Sequence, residues 1–107
     1  MFNINGEDWG VKLVSPQHPK LFRTDGSLAI GSCDDQTKTI YINEDLELNL
    51  LKKVLCHEIT HAAMFSYNID LSYDQEELLA DLISTYGQEI RTTTNKIFKR
   101  IKEKGRF

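Results

Sequence analysis

Long apolar runs are missing from this chain. No stretch approaches the roughly 18 consecutive apolar residues that a membrane helix needs, and the opening MFNINGEDWG has neither the basic start nor the apolar core of a signal peptide. A cytoplasmic location and no membrane partner are therefore expected. Cysteine is scarce as well: Cys33 and Cys56 are too few and too scattered for a disulfide framework, and both are read as free thiols. The two prolines, Pro16 and Pro19, fall together in SPQHP and exclude regular helix or central strand there. An excess of positive charge is absent too. Thirteen Lys and Arg stand against 16 Asp and Glu, a formal net charge of -3, so the protein as a whole does not attract nucleic acid or anionic lipid.

The 107 residues suit one domain spanning residues 1–107, which would bury about two-thirds of the surface its unfolded chain exposes. Hydrophobic residues at 40% and charged residues at 27% are those of a folded chain rather than a disordered one. Up to about residue 43 the pattern is short-period and turn-rich. Trp9 to Val14 alternates in strand fashion, Ser27 to Cys33 is a second apolar stretch, and in Thr37 to Ile42 the residues Ile40 and Ile42 share one face while Thr39 and Tyr41 share the other. A small antiparallel sheet of about three strands is expected.

From Asn43 the period becomes helical. Asn43 can cap, Glu44, Asp45 and Glu47 suit the positive end of the helix dipole, and apolar residues recur at Leu48, Leu51, Leu55, Ile59 and Ala62. A second start signal follows a short connector. Ser72 with Gln75 fits a capping box, with Asp74 a rival cap, and Leu79, Leu82, Ile83, Tyr86 and Ile90 line one side of the helix behind it. Gly87 and Thr92 to Thr94 suggest a kink or break, after which Ile97, Phe98 and Ile101 continue a stripe expected to dock on the core. The fold class is thus α+β, a small sheet packed on one central helix and a C-terminal helical region.

The central helix carries HEITH, residues 57–61. Histidines four apart lie about 40° from each other around a helix, which lets two imidazoles share one tetrahedral zinc ion. Glu58 sits about 100° from His57, beside the metal rather than on it, where its carboxylate can take a proton from the attacking water. A catalytic zinc site usually takes a third protein ligand. Downstream, EELLAD offers Glu77 in the first turn of the next helix with Asp81 one turn further on the same face.

HEITH followed by Glu77-Leu-Leu-Ala-Asp81 resembles the gluzincin metallopeptidases, whose second helix bears a Glu-x-x-x-Asp motif. The resemblance implies that His57, His61 and Glu77 bind zinc, that Glu58 acts as general base and acid, and that Asp81 orients His57. In layout the chain is similar to the small bacterial and phage-encoded zincins of the ImmA/IrrE type over about residues 27 to 90. It also implies that the strand Thr37 to Ile42 pairs with extended substrate backbone. Tyr41, Tyr67, Tyr73 and Tyr86 are the candidates for stabilising the oxyanion.

Competing assignments exist at several positions. Glu76 rivals Glu77 as third ligand, but its spacing to Asp81 does not fit the motif. Cys56 projects about 100° from His57, on the side away from His61, which suits helix packing. His18, between two prolines, is read as an exposed turn residue, and Cys33 could approach the site from the strand region. The tail holds Lys96, Lys99, Arg100, Lys102, Lys104 and Arg106 against Glu103, a solvated helix end first and a local contact to nucleic acid or a partner second. The sequence therefore supports a zinc-dependent peptidase acting on a protein or peptide. The alternative is a zinc-stabilised interaction or regulatory protein that contacts a protein or DNA through the basic C-terminal helix.

Overall fold

The computed structural model describes residues 1–105 of the chain, so Arg106 lies outside the described residues. Six main elements follow one another: β1 (Phe2–Ile4), β2 (Glu7–Val14), β3 (Gly31–Asp34), β4 (Thr39–Asn43), α1 (Leu48–Ser66) and α2 (Tyr73–Lys104), with a short 3-10 turn at Pro19–Leu21. The class is α+β, with four strands in the order β1-β2-β4-β3.

The strand missing from the sequence reading is β1. Asn5 and Gly6 have φ of 50° and 82°, the left-handed pair that a two-residue hairpin demands, and they join Ile4 to Glu7 across the β1–β2 ladder. The Asn-Gly dipeptide was the available signal. The sheet is also mixed rather than antiparallel. Gly31 pairs with Ile42, and so does Leu13 on the opposite side, so β4 inserts between β2 and β3 and runs parallel to β2. Local alternation cannot reveal which strands become neighbours, and the 16-residue stretch before β3 is long enough to leave that gap.

Being central, β4 is covered on both faces. Ile40 and Ile42 join Trp9, Val54 and Ala62 in the core, with Leu51, Leu55 and Ile59 of α1 packed against it. On the other face Tyr41, 7% exposed, stacks on His18 at 5.4 Å between ring centroids. His18 is thus half-buried rather than exposed, and its Nδ1 accepts from the Lys20 backbone N–H at 3.1 Å, capping the 3-10 turn. Trp9 is fully buried and donates its indole N–H to Ser66 Oγ at 2.8 Å, tying β2 to the last turn of α1.

Helix α1 begins four residues later than expected, its cap at Glu47 instead of Asn43. Asn43 pairs with Val14 and donates its backbone N–H to Ile30, so the sheet claims it, while its Oδ1 accepts from the Asp45 N–H in a turn. Glu47 takes the capping position instead, its side chain accepting from the Asn49 N–H. Helix α2 starts as the sequence indicates, with the reciprocal Ser72–Gln75 capping box, but it runs to Lys104 without the expected break. Gly87 is tolerated inside it, and Thr94 satisfies its hydroxyl on the Ile90 carbonyl at 2.7 Å. The expected docking of the C-terminal stripe is not found. Among the described residues from Gln88 onward only Ile97 is half-buried, and Phe98 is 59% exposed. The molecule measures 55 × 31 × 28 Å, and its radius of gyration of 16.6 Å exceeds the about 13 Å of a compact chain this size. A projecting helix end accounts for the excess. Among the described residues no helix is long and apolar enough to cross a membrane.

Candidate metal centre

Helices α1 and α2 lie antiparallel, and the connector between them, residues 67–72, is short enough to set the start of α2 beside the last turns of α1. Three side chains converge there. His61 Nε2 lies 2.8 Å from Glu77 Oε1, His57 Nε2 lies 3.4 Å from Glu77 Oε2, and the two Nε2 atoms are 3.2 Å apart. One ligand atom from each of His57, His61 and Glu77 falls within 4.8 Å of the others, so the three could hold a single metal ion.

The outward nitrogens are engaged as well. His57 Nδ1 is 3.1 Å from Asp81 Oδ1, and His61 Nδ1 is 2.6 Å from Glu76 Oε1. A carboxylate on Nδ1 holds the proton there and leaves the Nε2 lone pair pointing inward, the tautomer a metal needs. Two imidazoles and a carboxylate with their outer nitrogens fixed in this way make a donor set suited to zinc. Glu76, set aside in the sequence as a rival to Glu77, faces the other side of His61. Its partner could not be read from spacing, because which face of α2 meets His61 depends on how the helices pack.

Glu58 leaves α1 toward the strand side of the cleft and is 7% exposed. Burial pushes its carboxyl above the usual carboxylate range, while the His61 and His57 rings pull it back down and the Glu77 carboxylate pushes it up again. The wall facing it is β3, which among the described residues pairs only with β4 and so has one open edge. Gly31 makes the close approach possible. A Cβ there would sit 2.7 Å from Val54 Cγ1 and 3.2 Å from Glu58 Cγ, closer than packed carbons stand. The strand expected to border the site, Thr37 to Ile42, is instead the interior strand β4, both of whose edges are already paired.

A cleft of about 490 Å³ runs between β3, the 3-10 turn and the start of α2, lined among others by Arg23, Cys33, Phe65 and Tyr73 together with the histidines and Glu58. Of the four tyrosines weighed, Tyr73 borders it, whereas Tyr41 is buried in the sheet. Arg23 was not anticipated: a lone arginine in a turn carries no motif, yet it borders the cleft and its charge reaches Glu58. Cys33 does face the cleft, but burial, with help from the Glu58 carboxylate, pushes its thiol up to about 12. It is therefore a neutral wall residue.

No curated protein matches this chain, and no solved structure matches it. The IrrE N-terminal-like domain profile, however, matches residues 15–97, from just after β2 through most of α2 and across every residue of the candidate metal centre. The chain belongs to the IrrE N-terminal-like domain family.

Proposed function

We propose that this protein is a zinc-dependent peptidase that hydrolyses a peptide bond in a protein or peptide. The observation that carries the reading is the convergence of His57 Nε2, His61 Nε2 and a Glu77 carboxylate beside a buried Glu58 on an open cleft. When bound, zinc supplies a Lewis acid that polarises the carbonyl and makes water a stronger acid. His57, His61 and Glu77 hold it, and Asp81 and Glu76 keep the two imidazoles in the tautomer that binds. Glu58 takes the proton from the attacking water and returns it to the leaving amine. Burial raises its proton affinity, which makes it a stronger base for the first half of that task. An extended substrate adds to the open edge of β3, where main-chain hydrogen bonds align it across the cleft. The Tyr73 hydroxyl and the Arg23 guanidinium are among the cleft-lining donors that can serve the developing oxyanion.

The test is Glu58→Gln on the zinc-loaded chain against a mixed peptide library, with zinc content measured in parallel. Loss of cleavage by at least about 1,000-fold at unchanged zinc content is expected, since base removal and its electrostatic consequences fall together. Equal cleavage by the variant, or none by a zinc-loaded wild type, would sink the peptidase reading. A second reading, a metal-stabilised interaction protein, is favoured by the exposed and basic end of α2. It requires biological activity to survive Glu58→Gln.

A further inference from the structure

Helix α2 has two faces with different fates. Ala80, buried, and Ser84, half-buried, lie on the side of the helix whose Glu77 and Asp81 meet His57 of α1. About 100° around the axis, Leu79, Ile83, Tyr86, Ile90, Ile97 and Ile101 fall within about 40° of a single line. Past Gly87 this apolar line is largely open among the described residues: Ile90 is 56% exposed and Ile101 39%, with Ile97 half-buried between them. The free part, residues 88–104, spans about 25 Å of helix. In proteins most helical stability comes from packing of an amphipathic face, so the open apolar line of the projecting segment is a surface for a partner.

Charge along α2 identifies the cover. Residues 73–89 hold five acids (Asp74, Glu76, Glu77, Asp81 and Glu89) and no lysine or arginine. Residues 90–104 hold six cations (Arg91, Lys96, Lys99, Arg100, Lys102 and Lys104) against Glu103. A helix acidic in one half and basic in the other complements itself when reversed. We propose that two copies of this chain associate through α2 in antiparallel fashion, with the twofold axis near Ile90. That register sets Ile90 on Ile90, Ile83 of one copy on Ile97 of the other, and Leu79 on Ile101, closing the apolar line along its length. The basic end of each copy then lies along the acidic half of the other, where Asp74 and Glu89 are exposed and Glu76, Glu77 and Asp81 belong to the candidate metal centre. A parallel pair would bury the same apolar line but stack cation on cation, so charge decides the direction. The contact is isologous, as a twofold dimer requires.

Sedimentation velocity on the 107-residue chain tests this, over a range of micromolar concentrations at low and high sodium chloride. A dimer is expected, one that weakens as salt screens the end-to-end attraction. Ile90→Glu lies beyond the body of the domain, so the fold should persist by circular dichroism while dimerisation weakens at least about tenfold, each interface gaining two buried carboxylates. Lys96→Glu with Arg100→Glu should weaken it too, leaving the apolar line untouched. A wild type that stays monomeric throughout overturns the proposal. So does a dimer that tightens with salt or ignores the charge reversals, and so does a monomer whose basic end binds duplex DNA instead.

Discussion

Replacing Gly31 by alanine tests whether the close approach of β3 to α1 matters. The new methyl carbon would stand 2.7 Å from Val54 Cγ1 and 3.2 Å from Glu58 Cγ, where packed carbons prefer about 3.5–4.0 Å. Roughly 1 Å must be found. Val54 cannot supply it by rotating, because a β-branched side chain inside a helix has one strongly preferred rotamer, and this one is 7% exposed in the core. Strand and helix must therefore part, at an overpacking cost of about 1–3 kcal/mol. Loss of glycine's freedom in the unfolded chain offsets about 0.4–1 kcal/mol. The net is about 1–2 kcal/mol, a fall in Tm of roughly 5–12 °C for a domain of this size. Thermal melts by circular dichroism measure it. Val54→Ala alone leaves a cavity and also destabilises, but it removes the offending Cγ1. The double variant should then be more stable than the two single losses combined imply, by about 1 kcal/mol of coupling. A neutral Gly31→Ala, or strict additivity with Val54→Ala, would refute the close-packing argument.

The metal centre predicts an asymmetry between neighbouring glutamates: Glu77→Ala should lose zinc by elemental analysis, whereas Glu76→Ala should keep about one zinc per chain with affinity weakened about 10–100-fold, as expected for a residue that only orients a ligand. Equal losses in both would contradict the division of roles. Ser66→Ala strands the buried Trp9 indole N–H and should cost about 1–3 kcal/mol, most of it recovered in a background of Trp9→Phe; a loss independent of the residue at position 9 would place the effect elsewhere. Cys33 titrates at about 12 rather than the ordinary 9.0, so its thiol stays protonated as pH rises past neutrality. At pH 8 iodoacetamide should modify it roughly 1,000-fold more slowly in the native chain than in the unfolded one. Rapid native labelling assigned to Cys33 by mass spectrometry would show it to be more open than the cleft wall allows.

Local chemistry determined much of this protein. The capping box at Ser72 and Gln75 is a short-range hydrogen-bond pattern, complete within four residues, and it forms where it is written. The 57–61 spacing fixes two imidazoles on one helix face whatever surrounds them, and Glu77 with Asp81 repeats that logic on α2. The signal for β1 was present in Asn5-Gly6 as well, since few other residue pairs accept two consecutive left-handed conformations.

Tertiary structure decided the remainder, because long-range pairings are not encoded by neighbours in sequence. Whether β4 would be an edge or a centre depended on β2 and β3 arriving on either side of it, and that in turn moved the open edge beside the cleft to β3. Asn43 looked like a helix cap and became the end of a strand, because its backbone found partners in the ladder before a helix could claim it. Glu76 and Arg23 acquired their places only when α2 and the segment after β2 were set against α1. The residues able to bind a metal were legible one by one; their convergence, and the carboxylates behind them, came from the packing of two helices.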